Sequence, residues 1–573
     1  MPFQDLRAGL AREIGSFLGE DAAAIEASFG APPKPEMGHI ALPCFTFAKK
    51  AGKASNKLAE EICAHLGAKG LRCQVAGPYA NISFDLTELY ETTLKQVFDK
   101  GAQYGADTSG SDQKILVEYC SPNIAKKLAF HHIRSTLIGN VLSNVHKFLG
   151  YDTERINFVG DWGTQFCRLM AAFEMWGDKS KLNEKALSAS MDHLLEVYVR
   201  FHKELEGKPD LLDRVAQIQK RLERGDQGAL SLWETIRRIS LLAMEQTLKR
   251  MHVHFDHVEG ESAYLKGIET HLESIKQKAG AEKSEGAWIV QVPEVSTPAL
   301  IQKSDGTTLY LTRDLVAAMD RFQRFQFDKS YYIVSSQQKL HFQQLFGVLK
   351  KMGFEWADKC EHLSFGTVRF GTEKMSTREG NIVILDDLLN QAKELALKEC
   401  TQKNPTLANK EEVAEMVGIG AIIFGELSSH IQRDIDFNWK HILAFDGETG
   451  PYVQYSLVRC YSLFRKATEK GEPAAAFAPL GELKLGAEEE VLLLTLARFR
   501  SVLHQVVREK EPFYLSRYLI DLAKTFNRFY YQLPILQATD PQLRAMRLNL
   551  VKATQTVLEN GFSLLGIQCP KEM

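Results

Sequence analysis

The chain has 573 residues, a formal net charge of −2, and a globular balance of 45% hydrophobic and 25% charged residues. That length predicts several domains rather than one core, and the composition excludes disordered and fibrous proteins. The most apolar run, Val417–Gly425, is too short to span a membrane and the nine cysteines include no CxxC pair, so we expect a soluble, cytoplasmic protein with reduced thiols and no zinc ribbon.

Residues 1–110 are predicted to form a small α+β domain. Helical patterns at Leu6–Leu18 and Asn56–Leu66 flank short extended segments at Cys73–Val75 and Asn81–Phe84. Because both kinds of element occur within so short a stretch, we expect this segment to be a self-contained unit.

The next segment has the element order of a parallel nucleotide-binding sheet. A β-rich run at Lys114–Tyr119 is broken by Ser121-Pro122-Asn123, apolar residues then recur at helical spacing over Ile133–Leu149, and strand signals return at Arg155–Val159. Strand, helix and strand in this order build such a sheet. Residues 111–170 are therefore predicted to be the first half of a Rossmann-type domain.

The second half of this sheet is predicted after a long insertion. Residues 171–295 have a helical, charged pattern that we interpret as the insertion. In residues 296–390, strand signals resume at Thr308–Leu311, Tyr331–Val334 and Gly366–Phe370, which would complete the sheet. The sheet is therefore predicted to be split in the sequence.

The rest of the chain is predicted to be helical. Residues 391–450 have the pattern of a helical junction, and in residues 451–573 the spacing of Leu, Phe and Tyr indicates a compact helix bundle. The predicted fold is thus α/β, with an N-terminal α+β domain and a C-terminal all-α domain.

Two polar segments are candidates for nucleotide chemistry, since no GxxxxGK[ST] loop is present. At the strand-to-helix junction 119–136, backbone amides at the helix start favour phosphate, and Lys126, His131 and His132 add donors. The loop Gly371–Asn381 carries Lys374, which can stabilise charge on phosphates if the loop closes over them. Taken separately, a loop with two chance histidines explains the first segment equally well, and a solvated turn is the better explanation of the second.

Together the two segments resemble the two signatures of class I aminoacyl-tRNA synthetases. The surrounding residues resemble arginyl-tRNA synthetases in particular, in the stretches Glu118–Lys126, Gly160–Gln165, Tyr310–Asp314 and Gly450–Tyr455. The resemblance implies ATP-dependent activation of L-arginine to arginyl-adenylate and its transfer to the 3′ end of tRNA(Arg), with release of AMP and pyrophosphate. It also implies ATP with Mg²⁺ as cofactors, a monomer, and tRNA contacts by both end domains.

The resemblance also implies the residues of the arginine pocket. A guanidinium is planar, always charged and presents five donors, so it requires carboxylates, amide oxygens and an aromatic face. Asp314 follows Tyr310 by four residues, which places both on one face if the segment is helical. The positions that match the family's pocket are Glu118, Asn123, Tyr310, Asp314 and Gln338.

The remaining site residues are implied in the same way, with no metal ligand of the protein's own. The catalytic candidates are His131, His132, Lys374 and Arg378. ATP contacts are expected from Lys126, His132, Lys374, Met375 and Ser376 in the two signatures, the second being a KMST loop. The candidate tRNA-binding residues are Lys49, Lys50, Lys53, Tyr452, Gln454 and Tyr461.

Both signatures depart from the family pattern, and this leaves alternatives open. The first reads Ala129-Phe130-His131-His132, which keeps only the last histidine of the usual sequence, and Thr377 stands where a second lysine is common. The main interpretation is an active synthetase with a variant ATP site. The alternatives are an inactive paralogue that binds tRNA or arginine, and a nucleotide-binding enzyme acting on another small cation.

Overall fold

The computed structural model describes residues 2–30, 32–33, 37–370, 383–472 and 476–573. Its N-terminal elements are α1 (Pro2–Leu18), α2 (Ala22–Ser28), β1 (Ile40–Pro43), α3 (Phe45–Ala51), α4 (Ser55–Ala68), β2 (Arg72–Ala76), β3 (Tyr79–Ser83) and α5 (Leu86–Lys100). The three strands pair antiparallel in the order β1-β3-β2. A disulfide joins Cys63 on α4 to Cys73 on β2, so the prediction that every thiol is reduced is wrong for this pair.

The central region contains the strands of both predicted halves of the sheet. Its elements are β4 (Lys114–Glu118), α6 (Ile133–Phe148), β5 (Asp152–Val159), α7 (Thr164–Trp176), α8 (Leu187–Leu205), α9 (Leu211–Glu223), α10 (Gln227–Arg250), β6 (His257–Gly260), α11 (Leu265–Ala279), β7 (Glu282–Ser284), β8 (Ala287–Val290), β9 (Ala299–Gln302), α12 (Tyr310–Phe325), β10 (Lys329–Ser335), α13 (Lys339–Lys351), β11 (Cys360–Phe365) and β12 (Val368–Phe370).

Five parallel strands form the main sheet, in the order β11-β10-β4-β5-β6. The two halves meet where β4 pairs with β10, which confirms the prediction of a parallel sheet split by an insertion. Because parallel strands end at the same edge, the residues after β4, β5 and β10 are brought together there. Leu116, Val117 and Ile333 are almost fully buried within this sheet.

Two strand predictions in the second half are corrected by the structure. Thr308–Leu311 was expected to be a strand, but α12 begins at Tyr310 because the following sequence has an apolar helical face with Leu315 and Val316 buried. Gly366–Phe370 contains β12, which pairs with a later strand outside the main sheet. The strand next to β10 is instead Cys360–Phe365.

The C-terminal part is predominantly helical, as predicted, apart from one short strand. Its elements are α14 (Leu385–Lys403), α15 (Lys410–Leu427), β13 (Ile435–Phe437), α16 (Trp439–Ile442), α17 (Gly450–Glu469), α18 (Ala487–Ala497), α19 (Phe499–Glu509), α20 (Phe513–Gln532) and α21 (Pro541–Leu565). The strand β13 pairs in parallel with β12. None of the helices in the described ranges has the length and apolar character needed to cross a membrane.

The helix bundle contacts the central domain next to the first signature. Lys510 forms an ion pair of 2.7 Å with Glu361 on β11, and the carboxylate of Glu511 accepts a hydrogen bond of 3.1 Å from the Ile431 amide. The carbonyl of the same residue, Ile431, accepts from the buried guanidinium of Arg134 on α6 at 2.9 Å. The residue Ile431 therefore links the bundle to the helix that follows the first signature.

Asp107 links the N-terminal part to the bundle. Its carboxylate accepts from Arg500 at 2.5 Å and from His504 at 2.7 Å, and Ser109 donates to its other oxygen. Burial by itself would raise the pKa of Asp107, but the hydrogen bonds from Ser109 and His504 and the positive charge of Arg500 lower it to about 2. The ionised carboxylate is therefore stabilised by folding.

Asp107→Asn is expected to lower the thermal stability of the protein at neutral pH, by about 1–2 kcal/mol. The folded pKa lies below the unfolded one, so the contribution is complete above about pH 4 and is lost as the pH falls toward 2. Thermal unfolding of both proteins at pH 7 and pH 5 should show the same loss. Equal melting temperatures would contradict this role for Asp107.

Candidate active site

A sharp turn carries the chain from β4 into the first signature. Cys120 and Ser121 have positive φ angles of 68° and 42°, a conformation that is costly for residues other than glycine. The turn is held by hydrogen bonds from the Cys120 amide to the Ser135 hydroxyl at 3.0 Å and from the Ser121 amide to the Asn157 side chain at 3.1 Å. The start of α6 is therefore fixed against the edge of the sheet.

The two histidines of the first signature lie together at the start of α6. Their ring centroids are 4.1 Å apart, and the Ala129 amide donates to Nδ1 of His132 at 3.1 Å. Burial, with smaller contributions from the nearby His131 and Lys126, lowers the pKa of His132 to about 3, although its backbone hydrogen bond with Ala129 acts in the opposite direction. His132 is therefore neutral at pH 7, and its Nδ1 lies within hydrogen-bond distance of both the amide and the carbonyl of Ala129, at 3.1 and 3.2 Å.

Lys126 lies close to His131 and His132. Its ammonium group is 4.8 Å from the ring centroid of Tyr198 on α8, and the Tyr198 hydroxyl donates to Gln165 at 2.6 Å. Burial lowers the pKa of Lys126, and Arg168 contributes to the shift. The insertion thus supplies the aromatic ring that contacts Lys126.

The second signature is described only through its flanking residues. Lys374, Met375, Ser376 and Arg378 lie outside the described residues. On the C-terminal side, the Val383 carbonyl accepts from the Phe130 amide at 2.9 Å, and the Leu385 amide donates to the Leu128 carbonyl at 2.9 Å. The segment that follows the second signature is therefore paired with the first.

Three of the predicted pocket residues occur on α12 and at the start of α13. Tyr310 is 51% exposed and Asp314 lies one helical turn after it, as the spacing predicted. Gln338 is exposed immediately before α13. The carboxylate of Asp314 accepts a hydrogen bond of 2.6 Å from Nε2 of His341, a residue that the sequence analysis did not identify.

Glu118 differs from its predicted environment. It is the last residue of β4, its side chain is buried, and its carboxylate is paired with the guanidinium of Arg321 on α12, which is itself almost fully buried. Arg321 also contacts Glu259 at 3.4 Å. The negative charge of Glu118, expected to bind a substrate guanidinium, is therefore compensated within the protein.

Asn123 has a structural contact in the turn. Its side-chain oxygen accepts from the Ala125 amide at 3.1 Å, and its backbone pairs with Gly160 beyond the end of β5. Asn123 consequently lies next to the Gly160–Gln165 segment that carried part of the resemblance. The structure brings this residue to the same edge of the sheet as Glu118.

A second buried ion pair lies beside the pocket and was also missed. Arg313 contacts Glu261 at 2.9 Å, and its guanidinium lies 5.3 Å from the Tyr310 ring centroid. Burial raises the pKa of Glu261 to about 7, and Asp314 and Asp161 add to this shift while Arg313 opposes it. Arg313 and Asp161 lie in segments already noted, Tyr310–Asp314 and Gly160–Gln165, but neither segment indicates Glu261 as a partner.

Comparison with known proteins agrees with this geometry. The family model for the catalytic domain of class I arginyl tRNA synthetases matches residues 93–439, the arginyl tRNA synthetase N-terminal domain matches 4–84, and the DALR anticodon binding domain matches 453–573. An arginine–tRNA ligase of Clostridium beijerinckii is 41% identical over 99% of this chain and 100% of its own length. The chain belongs to the class I arginyl-tRNA synthetases.

Solved synthetases share the fold. The arginyl-tRNA synthetase of Thermus thermophilus covers 100% of both chains with a TM-score of 0.82 at 24% identity. That of Plasmodium falciparum covers 98% of this chain and 99% of its own with a TM-score of 0.79 at 22% identity. As an arginyl-tRNA synthetase the protein is a ligase, and the comparisons give no support to the inactive paralogue or to an unrelated nucleotide-binding enzyme.

In this synthetase the three predicted tRNA-contacting lysines are exposed. Lys49 and Lys50 lie in the last turn of α3, and Lys53 follows it. Lys50 is paired with Glu20 at 2.7 Å and Lys53 with Glu61 at 2.6 Å. Phosphate contact by Lys50 or Lys53 would therefore have to replace a surface ion pair, which costs little.

The predicted tRNA contacts on α17 of the synthetase differ in exposure. Gln454 is fully buried, and its amide nitrogen donates to the carbonyls of Met416 and Gln568 at 3.2 and 2.8 Å, so its side chain is not exposed for contact with tRNA in this structure. Tyr452 and Tyr461 are partly exposed, although the Tyr461 hydroxyl is bonded to Glu559 at 2.7 Å.

Proposed function

We propose that the enzyme activates L-arginine with ATP and transfers it to the 3′ end of tRNA(Arg), releasing AMP and pyrophosphate. The observation that carries the proposal is the convergence, at one edge of the parallel sheet, of the first signature with the α12 face that bears Tyr310 and Asp314. The monomeric state and the cytoplasmic location are part of the same proposal.

Arginine is proposed to bind with its guanidinium at Asp314. This carboxylate is about one-quarter exposed, so a ligand can reach it, and the exposed ring of Tyr310 lies one turn away. Gln338 and Asn123 supply amide oxygens at the rim. Glu118, bonded to Arg321, supports the wall of the pocket and does not supply a free charge.

The phosphates of ATP are proposed to bind at the start of α6. Backbone N–H groups at a helix start bind anions, and Nε2 of His132 donates to a phosphate oxygen in the tautomer in which Nδ1 accepts from the Ala129 amide. Lys126 lies close enough to both histidines to lower their pKa values. This set of one cation and several neutral donors fits a polyphosphate.

Magnesium is proposed to enter with the nucleotide. Within the described residues, no group of three or more His, Cys, Asp or Glu side chains could hold a metal ion by itself. Ligation that relies mainly on substrate phosphates is the usual mode for Mg²⁺ in such sites. When bound, the ion would neutralise phosphate charge.

In the proposed mechanism the carboxylate of arginine attacks the α-phosphorus of ATP in line, and pyrophosphate leaves. His132 and the α6 amides stabilise the negative charge that develops on phosphate oxygens, with Lys374 and Arg378 acting from the second signature and His131 in place of the missing first histidine. No protein nucleophile is needed. A ribose hydroxyl of the tRNA 3′ adenosine then attacks the arginyl carbonyl, and AMP leaves.

Contact with tRNA is proposed for both end domains. Lys49, Lys50 and Lys53 would bind backbone phosphates, and Tyr452 and Tyr461 would contact the anticodon region. The resemblance implies that arginine activation waits for bound tRNA. The link from Glu511 through Ile431 to Arg134 gives the bundle a direct contact with the ATP-binding helix.

The test is an aminoacylation assay with purified protein, Mg-ATP, radiolabelled arginine and total tRNA. Lysine in place of arginine, and omission of tRNA, are the controls. Arginine-specific charging is expected, and it would show that Ala129-Phe130-His131-His132 supports catalysis. A folded protein that binds tRNA but charges none of it would instead be an inactive paralogue.

A further inference from the structure

Asp314 and His341 face each other across the contact between α12 and α13. Asp314 lies one turn after Tyr310 on α12, and His341 lies in the first turn of α13, three residues after Gln338, which precedes that helix. Nε2 of His341 is 2.6 Å from Oδ2 of Asp314, and the side chains are 23% and 24% exposed. The pair therefore lines the open side of the arginine pocket.

The three carboxylates around this pocket have different partners. Glu118 is paired with Arg321, and Glu261 is paired with Arg313. An arginine partner is always charged, so it cancels the carboxylate charge that it holds. Asp314 is the exception, because in the described structure its hydrogen-bond partner is an imidazole.

A neutral imidazole orients a carboxylate without cancelling its charge. It donates one hydrogen bond, and an ionised carboxylate has about four lone-pair positions, so the remaining positions stay available. A second cation at this place would compete with the substrate guanidinium. A missing partner would leave the Asp314 side chain free to rotate, and the guanidinium would then have to order it on binding.

We propose that His341 is a positioning residue for arginine recognition, which fixes Asp314 in the rotamer that accepts the substrate guanidinium. The inference rests on the proposed arginine pocket and adds a residue that acts through Asp314. His341 is supported by its neighbours, since the edge of its ring meets Phe342, and Phe342 stacks on His362 at 4.4 Å. His362 in turn donates to the Val334 carbonyl at 2.9 Å.

The test compares His341→Ala with His341→Gln in steady-state aminoacylation. The alanine variant loses the donor, and its KM for arginine is expected to rise about tenfold, with kcat and the KM for ATP within about twofold. The glutamine amide can reach the position of Nε2, so the KM for arginine of His341→Gln should return to within about threefold of the parent. This rescue would not occur if the ring served only to fill space.

The matched control is His271→Ala, at an exposed histidine on α11. It should leave every kinetic parameter unchanged, and circular dichroism and the melting temperature establish folding for each variant. His341 is not a positioning residue if the alanine variant keeps the parent KM for arginine, if the glutamine variant is equally impaired, or if kcat and both KM values worsen together.

Asp314→Ala, measured in parallel, separates this inference from the proposed pocket. If Asp314→Ala raises the KM for arginine and His341→Ala does not, the pocket stands and the role of His341 is rejected. If Asp314→Ala leaves the KM for arginine unchanged, the pocket assignment and the role of His341 are both rejected. Charging activity of the parent protein tests the proposed function independently of either variant.

Discussion

Asp314→Ala is expected to raise the KM for arginine about 100-fold while the KM for ATP changes by less than about threefold. The structure supports this split because the carboxylate of Asp314 is partly exposed and its hydrogen-bond partner is the imidazole of His341, not a guanidinium. The nearby carboxylates of Glu118 and Glu261 are already paired with protein guanidinium groups. No other described carboxylate of the pocket can therefore replace the lost charge.

Two further variants test whether the charge of Asp314 is what recognises arginine. Asp314→Asn keeps an acceptor for His341 and removes the charge, so its KM for arginine should rise nearly as much as that of the alanine variant. Asp358→Ala removes an exposed carboxylate that pairs with Lys350 at the surface, and it should behave as the parent does. Equal increases in the KM values for arginine and ATP would show that Asp314 supports the whole site and does not recognise arginine.

The parts of the fold that were predictable have strong local patterns. β4 and β5 are apolar runs bounded by turn residues, and their order with α6 indicates a parallel sheet. The prediction of a strand at Thr308–Leu311 was wrong because this short β-rich run precedes a longer helical pattern. The apolar face that includes Leu315 belongs to that helix. The strand His257–Gly260 was missed because it is a short, partly exposed edge strand without a distinct pattern.

In the candidate site, too, only side-chain arrangements that depend on local sequence spacing could be predicted. The four-residue spacing of Tyr310 and Asp314 is local, so their common face could be predicted from the sequence. The pairing of Glu118 with Arg321 joins residues 203 positions apart, and the fold alone brings them together. His341 lies in a segment with an ordinary helical pattern, and only its distance to Asp314 identifies it.

The second large effect is expected for substitution of Lys374, which should lower the turnover number. Lys374→Ala should lower kcat by about two to three powers of ten, because a cation that meets the charge developing on the transferred adenylyl group and the leaving pyrophosphate acts mainly in the transition state. The described flanks support this role. β12 ends at Phe370 beside β13, and the Val383 carbonyl is bonded to the Phe130 amide, so both ends of the segment that contains Lys374 are anchored near the first signature.

Kinetic measurements distinguish this role from simple substrate binding. Pyrophosphate exchange with tRNA present isolates adenylate formation, and the KM for arginine should stay within about threefold of the parent value. Lys374→Arg keeps a charge in a different shape and should retain more activity than the alanine variant. Lys398→Ala, at an exposed lysine on α14, is the control. A Lys374→Ala variant with normal kcat and a raised KM for arginine would assign this lysine to substrate binding, because a group that acts only on the transition state cannot produce that result.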